Sequence, residues 1–169
     1  INPFEMVEKY GTDALRFYLS KEISSFDDGD FTEARFKESF NAYLANGLGN
    51  TSSRVLKMAE SYLEAEPPNL ESLEFPKEYK DFMENFEFNK AMHFIWQKLS
   101  EIDLEIQTKQ PFKMAKVNIE EARSVLSGLV KKLFEISKML APFMPETSTK
   151  ILEAIKSNKS ISPLFLRKE

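Results

Sequence analysis

Residues 88–106 read FNKAMHFIWQKLSEIDLEI, and this stretch decides the fold class. Its apolar side chains recur with gaps of four and three residues, at Phe88, Met92, Ile95, Leu99, Ile102 and Ile106. A helix with about 3.6 residues per turn places such positions on one face. The pattern therefore predicts a long amphipathic helix in a bundle. Gln110-Pro111 ends it, because proline disrupts the helical turn that precedes it.

The same periodicity predicts helices on both sides of this stretch. One is expected to span residues 32–64, with Gly47 and Gly49 in its interior. Another begins at Asn118 with a capping-box-like start. No strong β-hairpin signal is present. We therefore expect an all-α fold, a helical bundle, with a weakly ordered tail from Ser157 onwards.

Composition sets limits on the class of protein. The 169 residues suit one compact domain, and the absence of cysteine excludes disulfides and thiolate metal sites. No apolar run is long enough to predict a membrane span. The net charge of −4 argues against wrapping a long nucleic acid, so neither DNA nor a membrane is an expected partner. A cytoplasmic location fits these features. Because the first residue is Ile1, we expect a piece of a longer chain.

Residues suited to catalysis or metal binding are scarce. His93 is the only histidine, and its apolar neighbours favour a structural role near the core edge. Asp27, Asp28 and Asp30 resemble a cation-binding loop, but their spacing does not match an EF-hand. A solvated turn that precedes the next helix is the favoured interpretation. No catalytic residues and no metal site are predicted.

A polar face on the 32–64 helix is the first candidate for recognition. Residues 39–59 contain no Asp or Glu, and within them Asn50 and Arg54 lie one helical turn apart, away from the apolar stripe. Lys57 extends the same side. An amide and a guanidinium can both read a base edge. The alternatives are a solvated helix face or an Asn–Arg pair that braces a neighbouring helix.

A second acid-free stretch, residues 106–119, surrounds the predicted break after Gln110. Phe112 follows Pro111 there, and the flanking cations are Lys109, Lys113 and Lys116. An aromatic ring beside cations is a suitable stacking platform for an unpaired base. The alternative is a core phenylalanine that fills the corner between two helices. Two such patches on an acidic protein suggest that an anionic partner contacts both.

Four segments resemble methionyl-tRNA synthetases, a family of class I aminoacyl-tRNA synthetases. They are VEKYGTDALRFYL at 7–19, DGDF at 28–31, NAYLAN at 41–46 leading to GNTSSR at 49–54, and LAPFMPET at 140–147. The first segment alone is shared with the leucine, isoleucine and valine enzymes. The resemblance extends over residues 1–156 in collinear order.

The resemblance implies a helical bundle of the class I synthetase anticodon-binding type. Residues 1–31 would form a small stem-contact segment that follows the catalytic domain, and residues 32–169 the anticodon-binding domain. Asn50 and Arg54 match the family pair that reads the anticodon CAU. Pro111 and Phe112 match a Pro-Trp pair that stacks on it, so Phe stands here where the family has Trp. Lys57, Lys109, Lys113 and Lys116 would be weaker phosphate contacts.

The resemblance also implies a parent enzyme, methionine–tRNA ligase, with tRNA(Met) as partner and with ATP and Mg²⁺ in a catalytic domain of the same protein. This fragment is expected to carry no cofactor and no catalysis of its own. Two alternatives stay open. One is the same domain of a leucine-, isoleucine- or valine-type synthetase, and the other is a helical protein-interaction module without RNA binding.

Overall fold

The structure, a computed structural model, describes residues 2–26, 29–64, 70 and 74–169. Within these ranges all regular secondary structure is helical, which confirms the all-α prediction. None of the helices in this part of the chain is long and apolar enough to cross a membrane. Their bounds are α1 (Pro3–Tyr10), α2 (Thr12–Glu22), α3 (Glu33–Ser39), a π-helical segment (Phe40–Gly49), α4 (Asn50–Tyr62), α5 (Lys77–Glu84), α6 (Phe88–Lys109), α7 (Pro111–Met114), α8 (Ile119–Leu140) and α9 (Pro145–Ser157).

The long predicted helix over residues 32–64 differs from a regular α-helix. It begins after Thr32, whose hydroxyl accepts a hydrogen bond from the Arg35 amide at 3.3 Å. Its middle, Phe40–Gly49, is π-helical, and α4 resumes at Asn50. At Gly49 a Cβ atom would lie 2.9 Å from the Leu44 carbonyl oxygen, closer than side chains approach. The wide π turn therefore requires glycine there, and it ends directly before the predicted recognition residues.

The bundle core forms where α8 packs against α4, α6 and α9. The predicted stripe of α6 lies in this core: Ile95, Ile102 and Ile106 are at most 1 % exposed. The capping prediction for α8 is also confirmed, because the Asn118 side chain accepts a hydrogen bond from the Glu121 amide at 3.2 Å. Periodicity and caps in the sequence thus correctly predicted the two longest helices, α6 and α8.

Side chains of helix α2 form hydrogen bonds with the corner between α8 and α9. The Asp13 carboxylate accepts a hydrogen bond from the Thr147 amide at 2.7 Å, in the first turn of α9. The Arg16 guanidinium donates to the carbonyl oxygens of Phe143 and Pro142, both at 2.7 Å. Two of the segments quoted above, 7–19 and 140–147, therefore contact each other directly. This contact ties the N-terminal helices to the bundle.

The tail after α9 is ordered against the bundle, so the prediction of a weakly ordered tail is wrong. The Asn41 side chain exchanges two hydrogen bonds with the backbone of Lys168, at 2.8 and 2.9 Å. Phe165 packs edge-on against Phe40. The segment lacks helical periodicity, but its one aromatic ring packs against an apolar surface beside the π-helical segment. Residues 158–169 thereby cover the outer side of the long helix.

Candidate nucleic-acid interface

The two polar residues predicted for recognition lie in the first turns of α4. Asn50 is exposed, and it is the first α-helical residue after the π-helical segment. Arg54 follows one turn later with a side chain that is 38 % exposed. Both residues are accessible from solvent, whereas the neighbouring Thr51 and Val55 of α4 are fully buried. Asn50 and Arg54 are therefore not buried, but Arg54 does contact a neighbouring helix, α6, as the bracing alternative expects.

Arg54 is paired with an acid that sequence reasoning did not identify. Its Nη1 donates to Asp103 Oδ1 at 3.3 Å, across from α4 to α6. The Thr51 hydroxyl donates to the other carboxylate oxygen of Asp103 at 2.7 Å. The stretch around Arg54 is therefore free of acids in sequence but not in space. A signal existed in the sequence, because Asp103 stands beside Ile102 on the predicted α6 helix and so lies at the edge of its buried stripe.

Phe112 lies at the corner where α6 ends. Gln110 adopts a left-handed conformation with φ 46°, which turns the chain, and Pro111 is buried at the start of α7. Phe112 itself is 41 % exposed, and the ammonium group of Lys113 lies 5.9 Å from the centroid of its ring. The ring is therefore not the core plug that was the alternative interpretation. It offers an aromatic surface to solvent beside a cation.

The predicted phosphate-contacting lysines differ in their surroundings. Lys57, Lys113 and Lys116 are exposed. Lys109 instead binds Glu105 at 2.7 Å, and Lys132 of α8 binds the same carboxylate. Hydrogen bonds from these two lysines hold the pKa of Glu105 below its ordinary value. Lys109 thus carries a partner that an RNA phosphate would have to displace or share.

Helix α6 connects the two halves of this candidate interface. Asp103, which contacts Arg54, and Gln110, which begins the Phe112 corner, are seven residues apart, or two helical turns. That spacing corresponds to roughly 10 Å along the helix axis. The C-terminal half of α6 therefore carries the carboxylate that contacts Arg54, and it ends at the corner where Phe112 lies.

The other residues considered in the sequence are the candidates for metal binding and His93. In residues 2–26, 29–64, 70 and 74–169 no group of three or more His, Cys, Asp or Glu side chains could hold a metal ion. Of the aspartate loop, Asp27 and Asp28 lie outside the described residues, and Asp30 is exposed. His93 is exposed, but its neighbours are buried. The partial loss of water around its ring, and then the charge of the nearby Lys21, lower its pKa.

Comparisons with known families agree with these observations. A family model described as the anticodon-binding domain of tRNA ligase matches residues 73–166, more than half of the chain. A model described as tRNA synthetases class I (M) matches residues 1–56. Among solved structures, the apo form of Mycobacterium tuberculosis methionyl-tRNA synthetase is similar over all of this chain and 41 % of that one, with a TM-score of 0.84. Their sequence identity is 21 %, so this likeness concerns the fold.

Curated relatives carry the sequence similarity. Methionine–tRNA ligase of Fusobacterium nucleatum is 31 % identical over 97 % of this chain, and methionine–tRNA ligase 1 of Bacillus cereus is 33 % identical over the same share. The chain spans 28 % of the length of each of these relatives. The chain therefore belongs to the family of tRNA-ligase anticodon-binding domains, of the methionyl-tRNA synthetase type.

Proposed function

We propose that this chain recognises the CAU anticodon of tRNA(Met) as the anticodon-binding part of a methionine–tRNA ligase. One observation carries the proposal: in a chain of this family, Asn50, Arg54 and the Phe112 ring are all accessible to solvent, on α4 and at the corner that ends α6. Amide, guanidinium and aromatic groups are the chemistry with which proteins read unpaired bases.

Asn50 and Arg54 would read the base edges. The Asn50 amide offers one acceptor and two N–H donors, so it can pair with a base through two hydrogen bonds. The Arg54 guanidinium has five N–H donors in a rigid fork, of which those on Nη1 contact Asp103. The remaining fork can bond to a base or stack on its face.

Phe112 would hold an unpaired base by stacking, an interaction worth roughly 1–3 kcal/mol per base. Pro111 is buried beside it at the start of α7. Lys57, Lys113 and Lys116 are exposed and would contact phosphates, which makes the affinity fall as salt concentration rises. Lys109 would contribute less, because Glu105 already binds its ammonium group.

The activity of the whole protein follows from the same proposal. ATP and Mg²⁺ would act in a catalytic domain of the same protein, and the residues of this chain would supply the contact with tRNA(Met) in the cytoplasm. Residues 1–31 would form the stem-contact segment next to that domain. The hydrogen bonds that Asp13 accepts from the α8–α9 corner and that Arg16 donates to it suit a rigid connection between this segment and the anticodon-binding bundle of residues 32–169.

The test is aminoacylation of tRNA(Met) by the full-length protein. Arg54→Ala should raise the KM for tRNA by about tenfold or more, because a bidentate contact to a base is worth roughly 1–3 kcal/mol. The KM for methionine should not change. Arg35→Ala, which removes an exposed arginine from α3, is the matched control and should leave both values unchanged.

A second arm separates the remaining alternatives. Binding is measured for hairpin RNAs that differ only in the anticodon. Preference for an anticodon other than CAU would assign the chain to a leucine-, isoleucine- or valine-type enzyme. RNA binding that is absent, or independent of salt, would instead favour a protein-interaction module. Normal charging by Arg54→Ala would refute the role given to α4.

A further inference from the structure

We infer that Asp103 is a positioning and specificity residue, which makes Arg54 read a neutral base edge instead of a phosphate. This inference rests on the proposed function and concerns the same surface. It starts from an unusual feature of that surface. An arginine expected to contact an RNA polyanion is paired with an aspartate, although an isolated cation would attract RNA more strongly.

The carboxylate is the fixed member of the pair. Thr51 is fully buried on α4, and its hydroxyl holds Asp103 Oδ2 at 2.7 Å. Asp103 stands next to Ile102, which is completely buried in the core of α6. Arg54 contacts the other oxygen at 3.3 Å and keeps 38 % of its side chain exposed. A long, mobile side chain is thus tethered at one nitrogen to an anchored acid.

Tethering restricts the orientations that Arg54 can adopt. A flexible arginine loses rotamer freedom when it binds, and a side chain held in advance loses less. Because Nη1 is held at Asp103, the position of the whole planar guanidinium is restricted. Asp103 therefore favours one geometry of approach for a base.

The charge of Asp103 selects between ligands. The guanidinium and the carboxylate are together neutral, so a phosphate gains little from Arg54 and is repelled by the adjacent acid. A base edge has no net charge and can still accept hydrogen bonds from the guanidinium. The Arg54–Asp103 pair consequently lowers the affinity for RNA in general and increases the discrimination between bases.

The experiment measures binding of hairpin RNAs to the full-length protein over a series of salt concentrations. One hairpin carries CAU in a seven-base loop, and another carries a different anticodon in the same loop. Asp103→Asn keeps the shape and an acceptor for Arg54, and its amide N–H can donate to the Thr51 hydroxyl, but it removes the negative charge. We expect its preference for CAU to fall about tenfold. We also expect the second hairpin to bind more tightly, with a salt dependence steeper by about one phosphate contact.

Two further variants test the anchor. Thr51→Val has nearly the same shape but lacks the hydroxyl that holds Asp103, so it should also reduce the preference for CAU. Thr51→Ser keeps the hydroxyl and should retain the preference for CAU. Glu101→Gln is the matched control, because it removes another acid from α6, one that binds Lys98 at 3.0 Å. It should change neither the preference nor the salt dependence.

Each result bears on the inference. If Asp103→Asn retains the preference and the salt dependence of the unsubstituted protein, the inference is wrong while the proposed function stands. The same holds if Glu101→Gln has an equal effect, because the charge would then act from any position on the helix. If the unsubstituted protein shows no preference for CAU, the proposed function fails and takes the inference with it. Circular dichroism melting curves check that each variant is folded.

Discussion

Replacement of Asp13 by alanine tests whether α2 holds the α8–α9 corner. Asp13 is 6 % exposed, and its Oδ2 accepts a hydrogen bond from the Thr147 amide at 2.7 Å. Thr147 is the third residue of α9, so Asp13 serves as the N-terminal cap of that helix from a distant part of the chain. The turn before α9 therefore depends on a side chain that lies more than a hundred residues earlier.

The expected change in stability has two contributions. Removal of the capping carboxylate leaves the Thr147 amide buried without an acceptor, and loss of a hydrogen bond to a charged group costs up to about 3 kcal/mol. In the opposite direction, Asp13 Oδ1 is buried without a hydrogen-bond partner among the described residues, and its removal recovers about 1 kcal/mol. The free energy of unfolding should therefore fall by about 2 kcal/mol.

The measurement is urea unfolding of the chain, followed by far-UV circular dichroism. A loss of this size should lower the urea midpoint by about 1 M. Asp13→Asn retains an acceptor for the Thr147 amide and should lose less than half as much. Asp81→Ala is the matched control, because it removes an aspartate from an exposed pair with Lys77 and should cost below about 0.5 kcal/mol.

Two outcomes would refute this reasoning. If Asp13→Ala unfolds at the same urea concentration as the unsubstituted chain, the hydrogen bond to Thr147 contributes nothing net to stability. If Asp13→Asn and Asp13→Ala are equally unstable, the negative charge matters and the capping hydrogen bond does not. In both cases the contact between the segments at 7–19 and 140–147 would need another explanation than the cap.

Two further predictions concern the α6–α7 region. Phe112→Trp enlarges the exposed aromatic face, so it should tighten binding of the CAU hairpin by about threefold, as measured by fluorescence titration; unchanged or weaker binding would contradict stacking on this ring. Lys109 and Lys132 hold the folded-state pKa of Glu105 below the unfolded value of 4.5, so its contribution to stability is present above that value and is lost as pH falls through the folded pKa. Glu105→Gln should remove this loss, and urea midpoints at pH 6 and at about pH 3 would measure it; an equal decline in both proteins would contradict the assignment.

The helices that could be predicted from sequence are those with an unbroken local signal. The stripe of α6 and the Asn118 cap of α8 depend on residues at most a few turns apart, and the structure confirms both. The π-helical segment could not be predicted in this way. Leu44 and Leu48 are four residues apart, a gap that an α-helix and a π-helix both tolerate on a buried face. Only the Gly49 requirement distinguishes them, and it depends on a backbone contact.

The candidate site was predictable in part for a related reason. Asn50, Arg54 and Phe112 were found from local sequence and from a family resemblance, and the structure places all three at the surface. Asp103 was missed because its partner on α4 lies 49 residues away, and pairing across two helices depends on how those helices pack. Charge along one segment therefore gave an incomplete account of charge in space.

Helix α6 is the element through which these observations join. Its buried stripe, with Ile102 and Ile106 at most 1 % exposed, fixes it against α8. On its outer side it holds Arg54 at Asp103, and two turns later it ends at the corner that exposes Phe112. Because the core fixes α6, the positions of Asp103 and of the corner before Phe112 are set by the packing of the bundle.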